Sequence, residues 1–155
     1  MGSIFNQDFI DFIDAFNQNK VEYILVGGFS VIAHGFGRST GDMDIWVNKT
    51  GENYDRIVLA FNQFKMPVFD MTVKKFLSNK NDVFRFGRTP SQIDLLTSLK
   101  GVEFSDAFKN AEMKILEKTE LRTLSREDLI KAKQASNRLK DQLDIETLRK
   151  IWKKK

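Results

Sequence analysis

Val26 to Val47 reads VGGFSVIAHGFGRSTGDMDIWV, and the spacing of its glycines and aspartates decides the fold. The run that leads into it, Val21 to Val26 (VEYILV), is β-branched and aromatic, which predicts a strand. Gly27 and Gly28 stop that strand in a tight turn. Ser30 to His34 then has room for a short helix before Gly35 and Gly37 open a loop. Asp42 to Val47 (DMDIWV) resumes strand character, with side chains alternating between two faces. The unit is strand, glycine turn, helix, strand.

Working outward, Phe5, Phe9, Phe12, Ile13 and Phe16 recur at helical spacing, so a helix is expected from about residue 6 to residue 18. Ile57, Val58, Phe61 and Phe64 predict a helix over Glu52 to Phe64, which Pro67 prevents from running on. A short helical stretch follows at Val73 to Leu77. Val83 to Phe86 and Ile93 to Ser98 read as a hairpin through Gly87, Arg88, Thr89 and Pro90. Met113 to Leu124 is expected to add short strands. Ser125, with Asp128 three places on, opens a helical segment that continues to Trp152 with a break near Asn137.

The chain has 155 residues, 41% hydrophobic and 30% charged, values of an ordinary globular domain. One domain is expected over residues 1–155, with an α/β core over 1–124 and C-terminal helices over 125–152. Fourteen Phe residues are available to fill its core. With no cysteine, disulfides and thiolate metal sites are excluded, and the cytoplasm is the expected location. No stretch approaches the roughly 18 apolar residues of a membrane span, and the N-terminus has neither the basic flank nor the apolar run of a signal peptide. Charge is uneven. Residues 1–108 carry 11 basic and 13 acidic side chains, whereas residues 109–155 carry 14 and 8. A basic C-terminal third can steer phosphate-bearing ligands or nucleic acid.

Strand alternation puts Asp42 and Asp44 on one face, roughly 6 to 7 Å apart along the backbone. Two carboxylates so placed can share a hard cation, and magnesium typically bridges such groups to substrate phosphates. Gly27 and Gly28 let the backbone approach a phosphate closely at the start of a helix. Asp94 lies in Ile93 to Leu96 (IDLL), where an acid among residues that favour burial needs a partner, a metal or a basic side chain. His34, the one histidine, reads as a hydrogen-bonding partner of the glycine loop rather than a catalytic group, and Trp46 as a core residue beside the site.

Val26 to Val47 as a whole resembles the signature of the DNA polymerase beta-like nucleotidyltransferase superfamily: a hydrophobic strand, a Gly-Gly pair, a spacer, then Asp-x-Asp between hydrophobics. Arg38, Thr40, Asp42 and Asp44 form the Arg-x-Thr-x-Asp-x-Asp version, similar to that of small bacterial AbiEii-type members. The run Ser125 to Leu148 (SREDLIKAKQASNRLKDQLDIETL) is similar to their Lys-rich C-terminal helix. The resemblance implies an α+β nucleotidyltransferase fold, a mixed β-sheet with helices packed on one side and a C-terminal helical segment. It also implies transfer of a nucleoside monophosphate from a triphosphate, ATP among the candidates, to a hydroxyl of RNA, protein or a small molecule. Asp42, Asp44 and Asp94 would hold Mg2+ or Mn2+, with Asp94 also the general base. Gly27, Gly28, Ser30, Arg38, Thr40, Lys133 and Lys140 would approach the nucleotide, while Asp141 and Asp144 would hold helices or basic side chains in place. Gly28 stands where many relatives have a serine. The alternative is a nucleotide- or RNA-binding module of the same fold without turnover, and either chemistry is compatible with a toxin-antitoxin pair.

Overall fold

Tyr23–Val26 forms strand β1, and all four of its residues are buried. A strand with no solvent-facing side must lie inside a sheet covered on both faces. The computed structural model, which describes residues 7–37, 41–80, 82–88 and 92–154, has this arrangement. Before β1 comes helix α1 (Gln7–Gln18), and after it α2 (Gly27–Ala33), β2 (Asp42–Val47), α3 (Gly51–Phe64), α4 (Val73–Leu77), β3 (Val83–Phe86) and β4 (Gln92–Leu96). The chain continues through α5 (Phe104–Asn110), β5 (Glu112–Leu116), β6 (Thr119–Thr123), α6 (Arg126–Ser136) and α7 (Leu139–Lys153). The six strands form one sheet in the order β3-β4-β2-β1-β6-β5. It is mixed: β1 is antiparallel to β2 and parallel to β6, whereas β2 is parallel to β4.

Alternation divides each central strand between two cores. Tyr23, Leu25, Met43, Ile45, Ile93 and Leu95 meet the aromatic faces of α1 and α3 and Phe76 of α4. Phe12 anchors this side edge-on to Phe61 and Phe64, each with ring centres 5.4 Å away. Ile24, Val26 and Trp46 face the other way, onto Ala107 of α5, Leu129 and Ala132 of α6, and Leu148 of α7. The expected layer of helices on one side is thus α1, α3 and α4, and the C-terminal segment covers the opposite face.

Caps appear where the sequence offers them. Thr50 accepts from the Asn53 amide and Ser125 from the Asp128 amide, both at 3.1 Å, each satisfying a free N–H of a first turn. Asn137, with φ 48°, ends α6 in the left-handed region, so the expected break falls there. Three details differ from the sequence expectations. Helix α2 begins at Gly27, not Ser30; β4 runs from Gln92 to Leu96; and α5, only seven residues long, was not foreseen. Thr89 and Pro90 of the expected hairpin turn lie outside the described residues. No helix among those described is long and apolar enough to cross a membrane.

Candidate active site

The parallel pairing of β2 with β4 sets Asp44 directly beside Asp94 and Asp42 beside Gln92. Neighbouring strands lie about 4.8 Å apart and paired residues share a face, so Asp42, Asp44 and Asp94 converge on the face that also carries Trp46. The Asp44 carboxyl is raised from 3.8 to about 6, first by burial and then by the negative charges of Asp94 and Asp42, against the opposing charges of Lys140 and Lys133. A carboxyl group crowded in this way is a carboxylate short of a counter-cation.

Asp94 has found a partial answer. Arg85, its cross-strand neighbour on β3, donates from Nε to Oδ1 at 3.1 Å and from Nη2 to Oδ2 at 3.5 Å. Gln92 donates to Oδ1 at 3.4 Å. Sequence reasoning left open whether Asp94 would meet a metal or a basic residue, and Arg85 was the residue it missed. The available signal was the period of two in VFRF: Phe84 and Phe86 are core, so Arg85 must share the face of Asp94.

Gly27 explains why the strand ends in glycine. Its φ is +63°, and an added Cβ would stand 3.2 Å from Asp44 Cγ and closer still to Oδ2. Gly27→Ala is therefore expected to destabilise the protein by about 1 to 3 kcal/mol from left-handed strain alone, measurable by urea unfolding. It should also displace Asp44, so the loss of transfer should exceed what partial unfolding explains.

The remaining candidates separate. Gly28 follows Gly27 in the first turn of α2. Ser30, expected near the nucleotide, is instead fully buried, its hydroxyl hydrogen-bonded to Thr123 Oγ1 at 2.6 Å. That bond ties α2 to β6. Arg38 and Thr40 lie outside the described residues. Lys133 is buried, with Nζ 3.3 Å from Asp141 Oδ1 and 3.0 Å from Asp144 Oδ2, so Asp141 and Asp144 hold a basic side chain. Arg138 closes this cluster with Nε 2.8 Å from Asp141 Oδ2. Lys140 is exposed, and its charge reaches Asp44. His34 Nε2 lies 2.6 Å from the Leu124 carbonyl oxygen, not on the glycine loop, and burial lowers its pKa. Trp46 is buried edge-on to Phe104, a core residue.

Three carboxylates on adjacent strands are an oxygen-only donor set, the ligand type that hard cations such as magnesium take. Among the described residues, no three His, Cys, Asp or Glu side chains stand as a group that could hold a metal ion. Asp94 is turned to Arg85, and of the two side chains that of Arg85 is 64% exposed and that of Asp94 10%.

The sequence from residue 8 to residue 151 matches the family described as "Nucleotidyltransferase of unknown function (DUF6036)". The chain belongs to this nucleotidyltransferase family. Solved structures share its fold. A Thermotoga maritima protein assigned as a nucleotidyltransferase, TM1012, superposes with a TM-score of 0.58 at 16% identity, covering 95% of this chain and 91% of that one. The lincosamide antibiotic adenylyltransferase LnuA, solved with lincomycin bound, gives 0.61 at 15% identity, covering 96% and 98%. No curated protein matches the sequence significantly.

Proposed function

We propose that this nucleotidyltransferase moves a nucleoside monophosphate from a Mg2+- or Mn2+-bound nucleoside triphosphate to an acceptor hydroxyl and releases pyrophosphate. The observation that carries the reading is the pairing of Asp44 with Asp94 across two parallel strands, with Asp42 on the same face. Asp42, Asp44 and Asp94 would hold the metal, which when bound neutralises the triphosphate and the developing charge. Asp42 and Asp44 face the triphosphate, and Lys140 adds positive charge on that side. The attacking hydroxyl comes from the other side, where Asp94 takes its proton as its oxygen bonds the α-phosphorus and the bond to pyrophosphate breaks. Arg85 and Gln92 orient the Asp94 carboxylate for that transfer.

LnuA, spanned at 98% by this chain and solved with lincomycin bound, supports keeping small molecules among the acceptors. The acceptor classes we retain are RNA, protein and small molecules. The absence of cysteine supports a cytoplasmic location, and the AbiEii-like motif at Arg38, Thr40, Asp42 and Asp44 is compatible with a role in a toxin-antitoxin pair, which the identity of the adjacent gene would test.

Asp94→Asn is expected to leave nucleotide affinity near that of the wild type and to slow transfer by about 100- to 10,000-fold, the usual cost of losing a general base. Labelled triphosphates incubated with cellular RNA and protein, followed for transferred label and released pyrophosphate, would measure it. Full transfer by Asp94→Asn would remove Asp94 from the role of base.

A further inference from the structure

The outer side of the C-terminal helices carries a feature separate from the aspartates. A groove of about 490 Å3 runs between α6 and α7, with Arg126, Glu127, Ile130 and Lys131 on one wall and Arg149 and Trp152 on the other. Arg149 also lines a neighbouring depression of about 360 Å3 along α7, with Ile145, Glu146, Lys150 and Lys153. Neither includes Asp42, Asp44 or Asp94 among its described lining residues. Leu129 and Ala132, on the buried side of α6, belong to the core with Val26 and Trp46 of the sheet, so α6 stands between the groove and the carboxylates.

Charge and shape narrow the occupant. The two depressions present five cations, Arg126, Lys131, Arg149, Lys150 and Lys153, and two acids, Glu127 and Glu146, so +3 of the chain's formal +4 collects on this side. A surface of that sign favours a polyanion. Lys150 already meets Glu146 at 3.2 Å. Arg149 and Lys153 are exposed on α7, about 6 Å apart along its axis. Between the cations the floor is apolar. Ile130, Ile145 and Trp152 are half-buried, and the indole is fixed, its Nε1 donating to the His34 carbonyl oxygen at 3.0 Å and its ring centre 4.8 Å from the Arg126 guanidinium. A membrane surface needs apolar side chains that project into it, whereas here the cations are exposed and the apolar residues lie behind them. An acidic peptide answers the charge alone. Phosphates joined to flat bases answer both features, since unpaired bases stack on aromatic rings and on guanidinium planes.

We propose that this groove binds single-stranded nucleic acid, with Lys131, Arg149 and Lys153 meeting phosphates and Arg126, held over Trp152, offering a base a stacking face. The binding needs no metal, because the cations are the protein's own side chains. It stands apart from the reading of the three aspartates, so Asp42→Asn should bind the strand as the wild type does.

Fluorescence anisotropy of the full chain in EDTA would follow labelled RNA and DNA oligomers of about 12 nucleotides, within the span typical of single-stranded sites. The tighter-bound of the two is then carried into variants that circular dichroism has established as folded. Arg149→Glu with Lys153→Glu should weaken it by about tenfold or more. Lys74→Glu with Lys75→Glu makes the same change in net charge at exposed positions of α4, and should leave affinity within about twofold of the wild type. Arg149→Gln with Lys153→Gln should reduce the slope of log affinity against log salt by about 1.4, from two phosphate contacts at about 0.7 each. Arg126→Lys keeps the charge and removes the plane, so it should weaken binding by about fivefold or more with the slope unchanged. Unchanged affinity in the folded α7 variants would overturn the assignment, and an equal loss in the α7 and α4 pairs would reduce it to net charge and overturn it as well. So would polyglutamate of similar length bound as tightly as the oligomer, vesicles of anionic phospholipid bound in its place, or a wild-type protein that binds neither RNA nor DNA.

Discussion

Asp44→Asn is expected to abolish nucleotidyl transfer and, in metal-free protein at neutral pH, to raise stability. The two effects have one cause. In the folded protein the Asp44 carboxyl is raised from 3.8 to about 6 by burial and by Asp94 and Asp42. A group whose folded pKa lies above its unfolded value binds its proton more tightly when folded. Its contribution is fully present below about pH 4 and is lost as pH rises through about 6. At 1.36 kcal/mol per pH unit the shift corresponds to at most roughly 3 kcal/mol, by which the ionised form at pH 7.5 is disfavoured. Asparagine carries no charge to repel Asp94, so urea unfolding in EDTA should show Asp44→Asn more stable than wild type at pH 7.5, with the difference closing towards pH 4. With magnesium the sign of its usefulness reverses. A metal ligand supplies several kcal/mol of charge stabilisation, so transfer should fall by about a thousandfold or more. Equal stability of the two proteins in EDTA at both pH values would contradict the crowding of charge at Asp44.

The second large effect lies in the C-terminal helices. Lys133→Met should destabilise the protein by about 3 to 5 kcal/mol, the usual cost of removing one partner from a buried ion pair. Lys133 Nζ stands between Asp141 and Asp144, whose side chains are 1% and 4% exposed, and without it two carboxylates face each other in the core. Burial alone would raise the Asp141 carboxyl, but Arg138 and Lys133 together hold it below its ordinary value. In the variant, Arg138 remains for Asp141, and Asp144 loses its Lys133 contact. Urea unfolding at pH 7.5 would measure the loss. Asp144→Asn combined with Lys133→Met should recover part of it by removing the carboxylate that loses Lys133. A loss below about 1 kcal/mol would mean that the cluster behaves like an exposed ion pair.

The fold was legible where side-chain period and punctuation agreed. VEYILV, the glycine pair and DMDIWV became β1, the start of α2 and β2, and alternation correctly put Asp42 and Asp44 on one face. The pairing of Asp44 with Asp94 was not legible, because strand order depends on packing between segments 50 residues apart in the chain and no local pattern records it. Arg85 was overlooked although the expected hairpin of β3 with β4 and the period of two in VFRF put it on the face of Asp94. Helix α5 (FSDAFKN) escaped notice because it buries a single small side chain, Ala107, which leaves no apolar period to read. Ser30 and Lys133 illustrate a further limit. Both are polar residue types that suit a phosphate site, yet the fold buries each against an internal partner, Thr123 for one and Asp141 with Asp144 for the other.

The most direct measurement is calorimetric titration of the full chain with ATP, GTP, CTP and UTP, first in magnesium and then in EDTA. Three carboxylates on one face repel a triphosphate, so a cation must lie between them before binding is favourable. The expected result is saturable binding of at least one nucleotide in magnesium, lost in EDTA and lost in Asp42→Asn with magnesium restored. Binding that persists in EDTA, or the absence of binding by all four nucleotides in magnesium, would contradict a metal-bridged triphosphate site at Asp42, Asp44 and Asp94.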